Sequence, residues 1–118
     1  MEQTAQTEQQ LEEIEVSIAE AKLAMKDRDD LLSLMNDARF KRLIEERYFT
    51  EEPRRLVMLK GAGLREEQIL RVDRLMYGVS ALDQFFRQVI TNGNQMEQAL
   101  KDDENAREEI LEEQTAMN

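Results

Sequence analysis

REEQILRVDRLMYGVSALDQFFRQVITN, residues 65–92, decides the fold class, because it is the longest uninterrupted helical pattern in the chain. Its apolar residues recur every three or four positions, which is the spacing of one face of an α-helix and not of a β-strand. At about 1.5 Å per residue the predicted helix is roughly 40 Å long, and we expect it to be the spine of the protein. The apolar positions are Ile69, Val72, Leu75, Met76, Val79, Leu82, Phe86, Val89 and Ile90.

The composition of the whole chain also favours helices. Hydrophobic residues make up 41%, charged residues 36% and aromatic residues 5%, a balance that suits amphipathic helices better than a sheet. Cysteine is absent from the sequence, so disulfides, thiolate nucleophiles and cysteine-ligated zinc are excluded. We predict an all-α fold: a helical bundle or helical hairpin with a long central helix and extended, partly coiled-coil acidic terminal arms.

The N-terminal arm, residues 1–36, carries a heptad pattern. Its narrow apolar seam needs a partner helix, which is either another copy of the chain or the C-terminal helix. The polar stretch 26–30 predicts a break, with Asp29 or Asp30 as a helix cap. The seam consists of Leu11, Ile14, Ile18, Ala21 and Met25, passes a polar step at Arg28, and resumes at Leu32 and Met35.

The central segment, residues 37–93, begins with a dense apolar stripe that we expect to be core. Its helix is predicted to stop near Thr50, and Pro53 fits the first turn of a new short helix ending at Lys60. Gly61 and Gly63 are predicted to end that helix and to form a tight connection to the next one. The stripe consists of Phe40, Leu43, Ile44, Tyr48 and Phe49.

A turn is predicted at Gly93–Asn94. Gly93 suits a helix C-cap and Asn94 an N-cap, with Glu97 placed three residues later to complete a capping box. The acidic C-terminal helix, residues 94–118, has few strong apolar positions and needs packing to persist.

Charge is divided along the sequence. Residues 1–30 and 94–118 each carry a net charge of −6, whereas residues 31–93 carry +2, with nine arginines among eleven basic residues. Either these are solvated faces with some ion pairs, or the centre is an anion-binding surface with acidic tails. The total of −10 argues against general attraction to nucleic acid or anionic lipid. The arginines at issue are Arg39, Arg42, Arg47, Arg54 and Arg55.

Catalytic and cofactor motifs find little support in the sequence. Histidine is absent, which excludes a hydrolase triad and a histidine base. A calcium loop starting at Asp27 would place Ala38 where a bidentate glutamate belongs. We therefore predict no enzyme activity, no cofactor, no metal and no small-molecule substrate. Residues 1–10 lack the features of a secretion signal, and no apolar run is long enough to span a bilayer, so we expect no membrane partner.

The segments FKRLIEERYF (40–49) and EPRRLV (52–57), with the later aromatic pair Phe85–Phe86 and Gly93, resemble small acidic helical proteins encoded among the structural genes of tailed bacteriophages. The resemblance covers about half of the chain. It implies a virion component or assembly factor, present in the host cytoplasm during assembly and in the virion.

The sequence thus predicts a structural or assembly protein that acts through helix-mediated contacts with itself and with a larger assembly. The alternative is a nucleic-acid-associated packaging or regulatory protein that uses the central arginines. The predicted interaction residues are Leu11, Ile14, Ile18, Met25, Leu32, Met35, Arg39, Arg42, Arg47, Arg54 and Arg55.

Overall fold

The computed structural model describes residues 2–117, and this range contains helices and short turns without a strand. The predicted all-α class is confirmed. The elements are α1 (Glu2–Met35), α2 (Ala38–Phe40), a π-helical segment (Lys41–Glu51), α3 (Glu52–Lys60) and α4 (Glu66–Met117).

The chain forms two compact units. The acidic unit combines Met1–Asp29 with Val89–Asn118, and the central unit is Asp30–Gln88. By sequence, the acidic unit holds sixteen acidic and five basic residues, a net charge of −11. The central unit holds ten acidic and eleven basic residues, a net charge of +1. The segments 1–36, 37–93 and 94–118 were defined from the sequence pattern, whereas the two units are defined by contacts. The three-segment division therefore stays a prediction.

In the acidic unit, α1 packs antiparallel to the C-terminal part of α4. The Ser17 hydroxyl donates a 2.6 Å hydrogen bond to Asp103, and Arg107 pairs with Glu15 at 3.0 Å. Ile18 and Ala21 lie buried in the seam, with 4% and 1% of their surfaces exposed. Of the two partners that the heptad pattern left open, the C-terminal helix of the same chain therefore covers this part of the seam.

The predicted break at 26–30 is wrong, because α1 continues to Met35. Arg28 occupies the seam position itself and is only 8% exposed. Its guanidinium donates to Asp29 at 3.0 Å, to Asn94 at 3.0 Å and to Glu97 at 3.4 Å, so the polar residue is satisfied inside the helix pair.

The predicted turn at Gly93–Asn94 is also wrong, because α4 runs without interruption from Glu66 to Met117. Gly93 is buried instead against Arg28. A Cβ atom on Gly93 would lie 2.4 Å from the Arg28 Cβ, far inside van der Waals contact. The missing side chain therefore makes room for the arginine, and Asn94 and Glu97 bind its guanidinium rather than capping a helix.

In the central unit, a turn at Asn36–Asp37 separates α1 from α2. The Asp37 carboxylate caps α2 by accepting a 2.8 Å hydrogen bond from the Arg39 backbone N–H. It also receives the Arg39 guanidinium, at 3.1 Å and 2.9 Å. The Arg39 side chain is the main cause that lowers the pKa of Asp37 below its ordinary value, and the backbone hydrogen bond adds to it.

This cap predicts a pH effect. A carboxyl whose pKa is lowered by folding contributes stability above its unfolded pKa, and that contribution disappears as the pH falls through the folded value. We expect the thermal midpoint of the wild type to exceed that of Asp37→Asn near neutral pH, and the difference to shrink as the pH falls below about 4, the ordinary pKa of an aspartate. Thermal unfolding followed by circular dichroism from pH 7 to pH 3 measures this, and parallel curves would contradict it.

The helix boundary predicted near Thr50 coincides with the junction at which the π-helical segment ends at Glu51 and α3 begins at Glu52, but no turn interrupts the helical backbone there. Its i→i−5 backbone pattern is visible in the Glu52 N–H, which bonds the Arg47 carbonyl. The Thr50 side-chain hydroxyl also donates to the Glu45 carbonyl, at 2.9 Å. Pro53 lies in the first turn of α3 as predicted, where its missing N–H costs little.

The predicted end of the short helix is confirmed. α3 ends at Lys60, the Gly61 N–H bonds the Val57 carbonyl at 3.2 Å, and Gly63 adopts φ +79°, a conformation that glycine tolerates. Across the turn, Lys60 pairs with Asp73 of α4 at 2.8 Å.

The buried residues of the central unit are aliphatic, namely Leu31, Leu56, Val72 and Val79, and the aromatic rings that pack against one another are half-buried. Phe86 of α4 contacts Phe40 and Phe49, with ring centroids 5.7 Å and 5.9 Å apart. The most buried large side chain is Leu56 of α3, which is 1% exposed. The stripe at 40–49 was predicted to be core, but none of its residues is buried: Leu43 is 45% exposed and the other four are half-buried.

Candidate protein-docking surface

The central unit leaves many large apolar side chains in contact with solvent. Exposed apolar side chains that cluster together mark interaction sites on soluble proteins, whereas single ones are common on any surface. The acidic unit exposes fewer, namely Val16, Leu23, Leu111 and Met117 among its described residues. The exposed set of the central unit is Leu32, Leu34, Leu43, Val57, Met58, Leu59, Leu70, Leu75, Tyr77 and Phe85.

Three of these residues are consecutive and form what we call the α3 patch: Val57, Met58 and Leu59. They are 53%, 71% and 38% exposed, whereas the preceding Leu56 is buried. α3 thus has apolar residues around most of its circumference but buries only one large side chain in its own unit. A helix with this composition is expected to be covered on more than one side.

A second group lies on α4, on the side opposite to the buried Val72 and Val79. At 100° per residue, positions 70, 77 and 85 project away from positions 72 and 79. Leu70, Tyr77 and Phe85 are accordingly 54%, 77% and 57% exposed. The acidic first turn of α4 lies before this stretch. We call the following set the α4 outer face: Leu70, Arg71, Arg74, Tyr77, Ala81 and Phe85.

The five arginines singled out from the sequence divide into two groups. Arg39 pairs with Asp37 at 2.9 Å, Arg47 approaches Glu51 at 4.0 Å, and Arg55 pairs with Glu52, an interaction that raises the pKa of Arg55 and lowers that of Glu52. Within residues 2–117, the exposed Arg42 and Arg54 have no ion pair. Three of the five guanidiniums are thus engaged with neighbouring carboxylates, and phosphate binding by this group stays a prediction.

The apolar residues singled out from the sequence lie in different surroundings. Ile18 is buried, while Leu11, Ile14, Met25 and Met35 are half-buried. Leu32 is 45% exposed, whereas the adjacent Leu31 is only 7% exposed, so the buried side of α1 passes through Leu31 after Arg28.

Sequence reasoning missed both the α3 patch and the α4 outer face. The run LVML at 56–59 and the pair Leu70 and Tyr77, which lie outside the main apolar stripe of α4, were the available signals. These signals became interpretable only when the structure showed which side of each helix is already covered.

The described residues provide no group of three or more acidic side chains placed to hold a metal ion. Over the same range, no helix has both the length and the apolar character needed to cross a membrane. Comparisons of the chain with protein-family models, with curated proteins and with solved structures give no match.

Proposed function

We propose that the protein is a non-enzymatic structural or assembly protein that binds protein partners through the central unit. The observation that carries the proposal is the exposure of the α3 patch and the α4 outer face, whose apolar side chains are accompanied by arginines without ion pairs. Arginine and aromatic residues are enriched in protein interfaces. The resemblance to small acidic phage proteins favours a virion component or capsid assembly factor.

The size of the exposed apolar surface supports association. Full burial of one large apolar side chain is favourable by about 1.5–3 kcal/mol. The six large apolar residues of the α3 patch and the α4 outer face are already partly covered, so their burial would contribute on the order of 10 kcal/mol. This is comparable with the roughly 4–15 kcal/mol that association costs in lost freedom of motion.

Photo-cross-linking tests this proposal. A photoreactive amino acid is placed at Met58, in the α3 patch, or at Tyr77, in the α4 outer face, in cells that produce the protein. We expect both positions to give covalent adducts of discrete mass, because each side chain would lie inside an interface. The matched control is Glu108, which is exposed on the acidic unit outside both surfaces. If neither Met58 nor Tyr77 gives an adduct above the Glu108 control, the proposed docking surface is wrong.

A further inference from the structure

The outer side of α1 in the acidic unit carries a second set of exposed apolar residues. Val16 and Leu23 are 59% and 61% exposed and lie seven residues apart, on the side opposite to the buried Ile18 and Ala21. Acidic residues at helical spacing accompany them. We call the set the α1 outer stripe: Glu12, Val16, Glu20, Leu23 and Asp27, all of them exposed.

The α1 outer stripe is negatively charged. Glu12, Glu20 and Asp27 make no ion pair with any described residue, and the stripe contains no cation. The unit that carries it has a net charge of −11, which adds to the negative potential around the stripe. An exposed apolar stripe flanked by uncompensated carboxylates is complementary to a surface that offers apolar residues together with free cations.

The α4 outer face has the opposite charge. Arg71 and Arg74 are exposed and have no ion pair within the described residues. Between positions 70 and 85 the sequence has only two carboxylates, and both are engaged: Asp73 by Lys60 at 2.8 Å and Asp83 by Arg87 at 3.0 Å. Between positions 70 and 85 the uncompensated charge of this face is therefore positive, and the exposed carboxylate of Glu67 lies one turn before Arg71.

The two surfaces also match in spacing. Val16 and Leu23 are separated by seven residues, as are Leu70 and Tyr77, which corresponds to about 10.5 Å along each helix. Two helices whose apolar residues repeat every seven positions can pack with those residues facing each other and with the charged residues at the edges. Here one helix brings carboxylates to those edges and the other brings guanidiniums.

We propose that the α4 outer face of one copy of the chain binds the α1 outer stripe of a second copy. This inference rests on the proposed assembly function and identifies its partner as the chain itself. The contact joins two different surfaces, so it is heterologous. Leu70, Tyr77 and Phe85 favour this partner over a phosphate-bearing one, because three apolar side chains among two arginines need apolar cover that a phosphate backbone does not provide.

The test is a charge exchange between the two surfaces. One variant carries Arg71→Glu and Arg74→Glu, and a second carries Glu12→Arg and Glu20→Arg. Sedimentation equilibrium of the full chain at about 50 mM salt gives the association constant, and circular dichroism verifies that each variant remains helical. We expect the wild type to self-associate, each variant to lose at least about tenfold in association, and an equimolar mixture of the two variants to regain most of it. Higher salt should weaken the wild-type association, because the ion pairs lie at the exposed edge.

The matched control is Lys41→Glu with Lys101→Glu, which changes the net charge by the same amount at exposed lysines that make no ion pair with a described residue and lie outside the α3 patch, the α4 outer face and the α1 outer stripe. Its association constant should stay within about twofold of the wild type, since only net charge has changed. If the control variant had an association constant as low as that of the Arg71→Glu, Arg74→Glu variant, the proposal would be overturned. It would also be overturned if the equimolar mixture did not regain association.

A wild type that remains monomeric at about 1 mM also overturns the second-copy proposal. In that case, adducts between Tyr77 and a different protein would still support the assembly function. The absence of adducts at both Met58 and Tyr77 would instead refute the proposed function itself. The two failures are therefore distinguishable.

Discussion

Gly93→Ala is expected to destabilise the protein by about 2 kcal/mol, although alanine is the better helix former by about 0.5–1 kcal/mol. The new Cβ would lie 2.4 Å from the Cβ of Arg28 and 2.8 Å from its Cδ. The Arg28 Cβ is fixed to the backbone of α1, so relief of this overlap requires the two helices to separate or the guanidinium to leave its partners. Urea denaturation followed by circular dichroism measures the loss.

A matched control for this prediction lies in the same helix. Gly78→Ala makes the same chemical change, but its Cβ would meet only the Tyr48 hydroxyl, at an ordinary contact distance of 3.9 Å. We expect it to be neutral or to stabilise by up to about 1 kcal/mol through helix propensity. In an Arg28→Ala background, Gly93→Ala should lower the free energy of unfolding much less than it does in the wild type, because the side chain that it would clash with is gone. Equal effects of Gly78→Ala and Gly93→Ala would contradict the role assigned to Gly93.

Leu56→Ala is expected to destabilise the protein by about 3 kcal/mol, because it removes a fully buried side chain and leaves a cavity in the central unit. Leu56 is 1% exposed and is the only large side chain of α3 that is buried. Its loss should weaken the attachment of α3 to its unit. Thermal or urea unfolding in dilute solution, where association does not contribute, provides the measurement.

The neighbouring residue supplies the control for Leu56. Val57 is 53% exposed, so Val57→Ala should change the free energy of unfolding by less than about 0.5 kcal/mol. Similar losses at positions 56 and 57 would show that α3 is not oriented as described.

The features that the sequence predicted correctly are those with local causes. The apolar repeat at 65–92 predicts a helix because its spacing matches one side of an α-helix over many turns. The end of α3 follows from Gly61 and Gly63, since a glycine with positive φ and a helix C-terminus are compatible within a few residues. Neither feature depends on what lies elsewhere in the chain.

The features that were predicted wrongly from the sequence depend on contacts between residues that are distant along the chain. Gly93 followed by Asn94 is typical of a helix end, yet the same glycine also suits a close helix–helix approach, and the choice depends on Arg28, 65 positions earlier in the sequence. Arg28 itself resembled a polar interruption because its partners, Asn94 and Glu97, lie on another helix.

The α3 patch and the α4 outer face were not predicted from the sequence because their exposure also depends on contacts with other helices. The stripe through Val72 and Val79 is visible in the sequence, but Leu70 and the ring of Tyr77 offer apolar surface as well. Only the packing of the unit distinguishes the apolar residues that are covered from those that are not.

The contact between Arg28 and Gly93 also determines how the two helices of the acidic unit align. Arg28 is the sole arginine in residues 2–29, and Gly93 is the sole glycine in residues 89–117. If one helix slipped by seven residues, Arg28 would face Leu100, where a bulky apolar side chain would replace the gap and the guanidinium would lose Asn94 and Glu97. One complementary pair can therefore specify a single alignment for the whole helix pair. The remaining seam positions do not have to encode that alignment, and they can tolerate residues such as Ser17 and Asp103 that a uniformly apolar seam would exclude.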